Sequence, residues 1–204
     1  MTVLGVTEHR RGDVRDVSFE MVTAGRRLAD DLGTDLVLAV IGGDVEGFAD
    51  DVNREGVDTI YTVDEGEEFN HGVYTQAIEE LHAELEPTAL LAPNSVNGLD
   101  YAPAVAERLD IPLVTDVVDF EAGGALEVTR EQYGGKVETT YDIDADQYAI
   151  TVRPAEWPKT ESTVVPRSAS MSASNASTVA SPVDSVFGHS AGRTVIAYWS
   201  ASMS

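Results

Sequence analysis

Hydrophobic residues along the first 115 positions alternate between short apolar runs and longer amphipathic stretches. The short runs have the length of β-strands and end in turn residues; they read TVLGVTE, DLVLAVIGG, DTIYTVD and TALLAPN. In the first long stretch the apolar residues follow helical spacing and a glycine closes the pattern: Val17, Met21, Ala24, Leu28, Leu32, then Gly33. Strand therefore alternates with helix from the start of the chain.

Three more helices are predicted between and after these strands. VEGFADDVNREG forms a short helix that Gly56 closes, NHGVYTQAIEELHAELEP a long one that Pro87 stops, and GLDYAPAVAERLDIP a fourth. Such alternation builds βαβ units, and right-handed crossovers place helices on both faces of a mainly parallel sheet. The predicted fold class is therefore three-layer α/β.

The carboxyl ends of the strands are where such a sheet meets ligands or partners. In this chain that edge carries residues 8–9, 42–44 and 94–95. His9 ends the first strand, and a turn or interface role is favoured for it over a catalytic one. Asn94 and Ser95 fit the N-terminal cap of the fourth helix. We therefore expect contacts at this edge.

After the segment PLVTDVVDFE the hydrophobic period changes to two. ALEVTREQ, KVETTYDI and QYAITVRP alternate in the manner of antiparallel strands, with EAGG and DIDAD as the turns between them. The domain is therefore predicted to end in a C-terminal antiparallel extension.

Acidic residues dominate the charge: the chain of 204 residues has 36 Asp plus Glu against 13 Lys plus Arg, a net charge of -23. Nucleic acid is disfavoured as a partner because binding it requires clustered cations. A high net charge destabilises a compact state unless salt screens it. We interpret the acidity as haloarchaeal-like, suited to a salt-accumulating cytoplasm; the alternative is an acidic surface that only serves solubility.

Signals for metal sites, membranes and catalysis are missing from the sequence. There is no Cys, and the four His residues form no i, i+4 pair, which disfavours zinc. The chain shows no secretory signal and no apolar run near the roughly 18 residues of a membrane span, so we expect a cytoplasmic protein without membrane insertion. The P-loop, dinucleotide and G-x-S-x-G patterns are also absent, and no catalytic residue is identifiable.

The composition changes after residue 164. Residues 165–204 contain one acidic residue, Asp184, and eleven serines, whereas residues 1–164 contain thirty-five acidic residues and three serines. We therefore divide the chain into a domain over residues 1–160 and an atypical Ser-rich tail over 161–204. A disordered linker and an out-of-frame translation are both consistent with this tail.

Three blocks in this order and spacing carry a family resemblance: EHRRGDVRDVSFEMVTAGRRLAD, ALLAPNSVNGLDYAPAVAERLDIPLVTDVVDFE and VTREQYGGKVETTYDIDADQYAITVRP. Together they resemble the N-terminal domain of the electron-transfer flavoprotein alpha subunit, over about residues 1–160. The resemblance implies a Rossmann-like α/β layer followed by antiparallel strands. It also implies a scaffold that packs against a beta subunit and forms part of a heterodimeric electron carrier rather than an enzyme.

Cofactors and partners follow from the same resemblance. The family's FAD lies in a C-terminal alpha domain, which nothing in residues 165–204 resembles, so no flavin-binding residue is assigned here. AMP is expected on the beta subunit. Electrons are expected to arrive from acyl-CoA-type dehydrogenases, as in fatty acid β-oxidation, and to leave to a quinone oxidoreductase.

The resemblance also suggests residues for subunit and domain contacts. Glycine pairs permit backbone geometry that a side chain forbids, and an exposed tyrosine suits an interface. The interface candidates are His9, Asn94, Ser95, Asp116, Arg130, Tyr133, Gly134, Gly135 and Lys136. A plain hairpin turn is the alternative for residues 133–136. The alternative for the whole chain is a stand-alone adenine-nucleotide-binding protein that resembles universal stress proteins.

Overall fold

The computed structural model describes residues 1–123, 125–160 and the backbone of 195–199. Four helices lie in the described part: α1 Asp16–Leu32, α2 Val45–Val52, α3 His71–Leu85 and α4 Val96–Leu109. The strands are β1 Thr2–Val6, β2 His9–Arg10, β3 Asp13–Val14, β4 Asp35–Gly42, β5 Thr59–Asp64, β6 Ala89–Pro93, β7 Leu113–Ala122, β8 Leu126–Gln132, β9 Val137–Ile143, β10 Tyr148–Val152 and β11 Val195–Trp199.

One nine-stranded sheet organises the molecule, in the order β11-β5-β4-β1-β6-β10-β7-β8-β9. All pairings from β11 to β7 are parallel, while β7-β8 and β8-β9 are antiparallel. The strand order reverses at β1, which lies between β4 and β6. The predicted α/β class, with a mainly parallel sheet and an antiparallel extension, is confirmed.

Two hydrophobic clusters fill the space on the two faces of the sheet. Adjacent residues of one strand point to opposite faces, so Val3 joins one cluster and Leu4 joins the other. Helices α1 and α2 contribute to the first cluster, and α3 and α4 to the second. The sheet is therefore covered on both sides, which gives the three predicted layers.

The helix boundaries follow local signals in the sequence. Helix α1 ends at Gly33, whose φ of 64° is the left-handed conformation that glycine adopts without strain. Asn70 and Ser95 cap α3 and α4 by accepting hydrogen bonds from first-turn backbone N–H groups. Helix α2 ends at Val52, earlier than Gly56, where the sequence pattern placed its end.

The last strand of the predicted antiparallel extension lies elsewhere. Strand β10 inserts between β6 and β7 and is parallel to both. All five of its residues are buried, including the polar Thr151. The alternation in QYAITV therefore does not separate buried from exposed positions. Thr151 is buried because its hydroxyl is hydrogen-bonded within the protein. The antiparallel extension consists of β7, β8 and β9, and we call residues 117–143 the arm.

No helix in the described part of the chain is both long enough and apolar enough to cross a membrane. The predicted tail, 161–204, lies outside the described residues apart from the backbone of β11, which runs parallel to β5.

Candidate functional site

A buried carboxylate occupies the point where the strand order reverses. Glu8 follows β1 and is 3% exposed, and its Oε1 accepts hydrogen bonds from Arg15 Nη1 at 2.7 Å and from Asn97 Nδ2 at 3.0 Å. Ser18 fixes its backbone by two hydrogen bonds of 2.8 Å. Glu8 therefore ties the end of β1 to the starts of α1 and α4, and it places a carboxylate where the strand order reverses.

His9 lies inside this edge rather than on its surface. It is 4% exposed, and its ring stacks on Phe48 with the centroids 4.5 Å apart. Its Nε2 is 2.9 Å from the carbonyl oxygen of Ile41, which can only accept, so Nε2 carries the proton. A Cβ at Gly42 would lie 2.5 Å from that nitrogen. His9 thus supports the turn after β4 from within.

Two tyrosines pack beneath Glu8, between α3 and α4. The rings of Tyr74 and Tyr101 lie 5.4 Å apart, and Tyr74 donates to the carbonyl of Ile41 at 3.2 Å. Burial raises the pKa of both phenols, and the nearby Glu8 carboxylate raises it further. Both side chains therefore stay neutral at physiological pH.

The start of α4 approaches the end of β6 closely. Ser95 is 9% exposed and its Oγ accepts from the backbone N–H of Gly98 at 3.0 Å, which confirms the predicted cap. A Cβ at Gly98 would lie 1.8 Å from the carbonyl oxygen of Pro93. The next exposed positions are apolar, since Val96 is 87% and Leu99 46% exposed.

A hydrogen-bonded network joins the carboxyl ends of β6 and β10 to Asp116, which lies in the first half of β7. Asn94 Nδ2 donates to Asp116 Oδ1 at 2.9 Å, and Thr151 Oγ1 donates to Asn94 Oδ1 at 2.7 Å. The backbone N–H of Asp116 donates to Thr151 Oγ1 at 2.9 Å. The structure thus brings together two of the predicted candidates, Asn94 and Asp116, through a hydroxyl that the sequence pattern did not single out.

Arg153 completes this network. It donates from Nε and Nη2 to the two carboxylate oxygens of Asp116, at 2.9 and 2.8 Å, in a bidentate pair. It also donates from Nη1 to Glu131 Oε2 and from Nη2 to the Glu131 carbonyl, both at 2.9 Å. Sequence reasoning missed Arg153 and Glu131, although the segment Thr-Val-Arg-Pro was visible as the close of the third block.

The charge state of Asp116 couples this network to pH. Hydrogen bonds from Arg153, with its charge and that of Arg130, lower the pKa of the Asp116 carboxyl below its usual value. Because the pKa of Asp116 is lower in the folded than in the unfolded protein, its ionised carboxyl stabilises the fold above the unfolded pKa of about 3.9. This stabilisation is lost as the pH falls through the folded-state pKa.

We therefore predict that the stability difference between the wild type and Asp116→Asn shrinks on acidification. Urea unfolding at neutral pH and at successively lower pH measures it. The difference should be largest near neutrality and should fall below about pH 4, where the unfolded carboxyl binds its proton. A difference that stays constant over this range would contradict the assignment.

The hairpin between β8 and β9 carries the remaining candidates at the tip of the arm. Tyr133, Gly134 and Gly135 have φ values of 54°, 69° and 78°, so three successive residues are left-handed. Lys136 closes the turn by donating its backbone N–H to Gln132 at 3.2 Å. The tip is exposed, and Tyr133 is exposed by 78%.

Strand β9 is almost entirely exposed and, among the described residues, pairs only with β8. Val137 and Tyr141 are 43% and 37% exposed and share one face of the strand. The guanidinium of Arg130 lies 6.0 Å from the ring centroid of Tyr141. The arm therefore presents exposed apolar and aromatic side chains beside a strand edge that no other described strand covers.

The candidates thus separate into three groups. Asn94, Asp116 and Arg130 lie at or near the base of the arm, and residues 133–136 lie at its tip, while His9 and Ser95 are buried supports. Within the described residues, no group of three His, Cys, Asp or Glu side chains could hold a metal ion.

Comparison with known proteins places the chain in a family. The electron transfer flavoprotein domain matches residues 3–185. The chain is similar to the electron transfer flavoprotein subunit alpha of Syntrophomonas wolfei, at 29% identity over 150 residues, which are 72% of this chain and 46% of that protein. It is also similar to the subunit alpha of Methylophilus methylotrophus, at 32% identity over 75% of this chain and 49% of that protein.

A third relative is Protein FixB of Clostridium saccharobutylicum, 33% identical over 74% of this chain and 47% of that protein. The chain spans about half the length of the curated relatives it matches. Because the family domain covers most of the sequence, this chain belongs to the electron transfer flavoprotein domain family.

Proposed function

We propose that this chain is the N-terminal domain of an electron-transfer flavoprotein alpha subunit, formed by residues 1–160, and that it works as a scaffold in a heterodimer with the beta subunit. The observation that carries the proposal is the arm. Its tip and β9, an edge strand among the described residues, expose Tyr133, Val137 and Tyr141, and aromatic side chains are enriched at subunit interfaces. The names of the relatives support the family role.

The cofactors of the complex are assigned to other parts of it. We propose that FAD binds in the half of the alpha subunit that this chain does not match, and that AMP binds on the beta subunit. The complex would accept electrons from acyl-CoA-type dehydrogenases and pass them to a quinone oxidoreductase, in the cytoplasm. In this scheme the chain supplies position and contact surface, and no catalytic residue.

The alternative, a stand-alone adenine-nucleotide-binding protein, is not favoured. Nucleotides bind an open α/β sheet in the crevice where the strand order reverses. In this chain Glu8 occupies that crevice, and its carboxylate would repel phosphate. Titration of the isolated chain with AMP and ATP distinguishes the two functions, because only the alternative predicts binding.

We predict that Tyr133→Asn weakens association with the beta subunit without unfolding the domain. Asparagine tolerates the left-handed backbone at this position, so the turn is kept while the exposed ring is lost. Aromatic anchors of interfaces are worth about 1–2 kcal/mol or more, so the dissociation constant should rise roughly tenfold. Isothermal titration calorimetry with the beta subunit measures it.

Asp110→Asn is the matched control. It places asparagine at another left-handed residue, with φ of 55°, at the opposite end of α4 from the carboxyl edge. Its affinity for the beta subunit should equal that of the wild type. Equal affinities of the wild type, Tyr133→Asn and Asp110→Asn would show that the arm tip is not part of the interface.

The haloarchaeal-like interpretation adds a salt prediction. With a net charge of -23, the acidic side chains repel one another in the folded protein, and dissolved salt weakens that repulsion by screening. We expect the melting temperature to rise on going from dilute buffer to molar KCl. The same melting temperature in both solutions would argue for an acidic surface that only serves solubility.

A further inference from the structure

Strand β7 pairs in parallel with β10 and in antiparallel fashion with β8, and the change from one pairing to the other occurs at an irregularity. Its first residues pair with β10 in parallel, and Val117 to Ala122 pair with β8 in antiparallel fashion. The register shifts opposite Thr151 and again after Val117. At this point Asp116 has a φ of 64°, a left-handed conformation that is strained for a residue other than glycine. Bulges of this kind re-aim a strand.

Arg153 holds the arm on the β10 side of this irregularity. Its guanidinium reaches the Asp116 carboxylate on β7 and both the side chain and the carbonyl of Glu131 on β8. Its backbone N–H donates to the carbonyl of Val117 at 2.9 Å. One residue therefore fixes two strands of the arm to the end of a central parallel strand.

Arg27 holds the arm from α1, which packs against the sheet. Its Nη1 donates to Asp119 Oδ1 at 2.6 Å, and its Nη2 to the carbonyl of Phe120 at 2.7 Å. The guanidinium also lies 5.1 Å from the ring centroid of Phe120 and 5.5 Å from that of Trp157. Those two rings stack on each other at 5.0 Å. The second arginine thus binds the arm just beyond the irregularity.

We propose that Arg153 and Arg27 are positioning residues that hold the arm in one orientation relative to the parallel sheet, so that its tip is presented ready for the partner subunit. We call this pair the arginine clamp. The inference rests on the proposed function, because it assigns the clamp's purpose to beta-subunit binding. A surface that is already oriented loses less conformational freedom on binding, and affinity rises accordingly.

The geometry explains why both positions are arginine. Each guanidinium bonds a carboxylate and a backbone carbonyl of the arm at once: Arg27 bonds Asp119 and Phe120, and Arg153 bonds both groups of Glu131. The planar fork makes such paired bonds with little loss of freedom, whereas a lysine ammonium is a single flexible point charge. Lysine would keep the charge at either site but would not keep the orientation.

The test is a distance measurement on the full chain together with beta-subunit affinity. Because the natural sequence has no Cys, nitroxide labels can be attached at Glu107→Cys on α4 and Glu138→Cys on β9, both exposed. Electron–electron double resonance gives the distribution of distances between the labels. Affinity for the beta subunit is measured on the same variants without nitroxide labels. Arg153→Met is the test variant, with Arg153→Lys as a milder second variant if the first does not fold.

Arg108→Met is the matched control, since Arg108 pairs with Glu79 between α3 and α4, away from the arm. We expect a narrow distribution for the wild type and for this control. Arg153→Met or Arg153→Lys should broaden it and weaken beta-subunit binding about tenfold, with a single cooperative unfolding transition retained.

Three results would overturn the clamp: an unchanged distribution with unchanged affinity, a broadened distribution with unchanged affinity, or weaker binding with an unchanged distribution. The last would mean that Arg153 contacts the partner directly. A wild-type chain that does not bind the beta subunit would refute the proposed function instead, while the distance distribution would still report whether Arg153 orients the arm.

Discussion

Gly98→Ala should destabilise the domain by about 3 kcal/mol or more, enough to remove much of the stability of an ordinary domain. The new Cβ would lie 1.8 Å from the Pro93 carbonyl oxygen and 2.9 Å from its carbon, and both are backbone atoms. Relief requires α4 to move away from β6. The Ser95 cap and the bond from Asn97 to Glu8 hold its first turn in place. Urea unfolding monitored by circular dichroism measures the change.

Gly72→Ala is the control for this substitution, because Gly72 also lies in the first turn of a helix, α3. A Cβ at that position meets only the Asn70 side chain, at 3.4 Å. Alanine should therefore leave stability equal or raise it by up to about 1 kcal/mol through better helix propensity. A Gly98→Ala variant that unfolds at the same urea concentration as the wild type would show that α4 does not approach β6 this closely.

Arg15→Met should destabilise the domain by about 2–4 kcal/mol, the second-largest effect expected. The cost comes from leaving the Glu8 carboxylate, 3% exposed, without its cation. The estimate is at the lower end for a buried pair because Arg15 itself is 42% exposed and water can replace part of the interaction. Denaturant unfolding at neutral pH measures the change.

Combining Glu8→Gln with Arg15→Met shows whether the lost stability comes from the unpaired Glu8 charge or from the lost packing of Arg15. In Glu8→Gln/Arg15→Met the buried group is neutral, so it needs no cation and much of the lost stability should return. Arg108→Met removes an exposed ion pair and should cost about 0.5 kcal/mol or less. If the double variant is no more stable than Arg15→Met, the buried carboxylate is not the cause.

Hydrophobic periodicity predicted the parallel layer well, because burial there follows chemical type. In α1 the predicted residues Val17, Met21, Ala24 and Leu28 are buried and Leu32 is half-buried, and Gly33 ends the helix as predicted. The apolar residues of β4 are all buried. Strand β10 was misplaced for a physical reason. Thr151 looks like an outward-facing position in a period of two, yet its hydroxyl is bonded to Asn94 and to the backbone of Asp116 inside the sheet.

The candidate site was only partly predictable. Asn94, Asp116 and the hairpin stood out because glycine, turn residues and strand ends leave local signals. Glu8 was placed at the carboxyl edge of the sheet beside His9 but was not chosen as a candidate, because it is one of 36 acidic residues and its burial depends on Asn97, far away in the sequence. Arg153 reaches Asp116 and Glu131 across 37 and 22 positions, and no local pattern records such a contact.

Sedimentation velocity of the chain mixed with the beta subunit from the same genome tests whether the two proteins associate. We expect a single faster boundary, formed by a complex of one chain of each kind, at micromolar concentration in molar KCl. Independent sedimentation of the two proteins, at concentrations where each is folded, would contradict it.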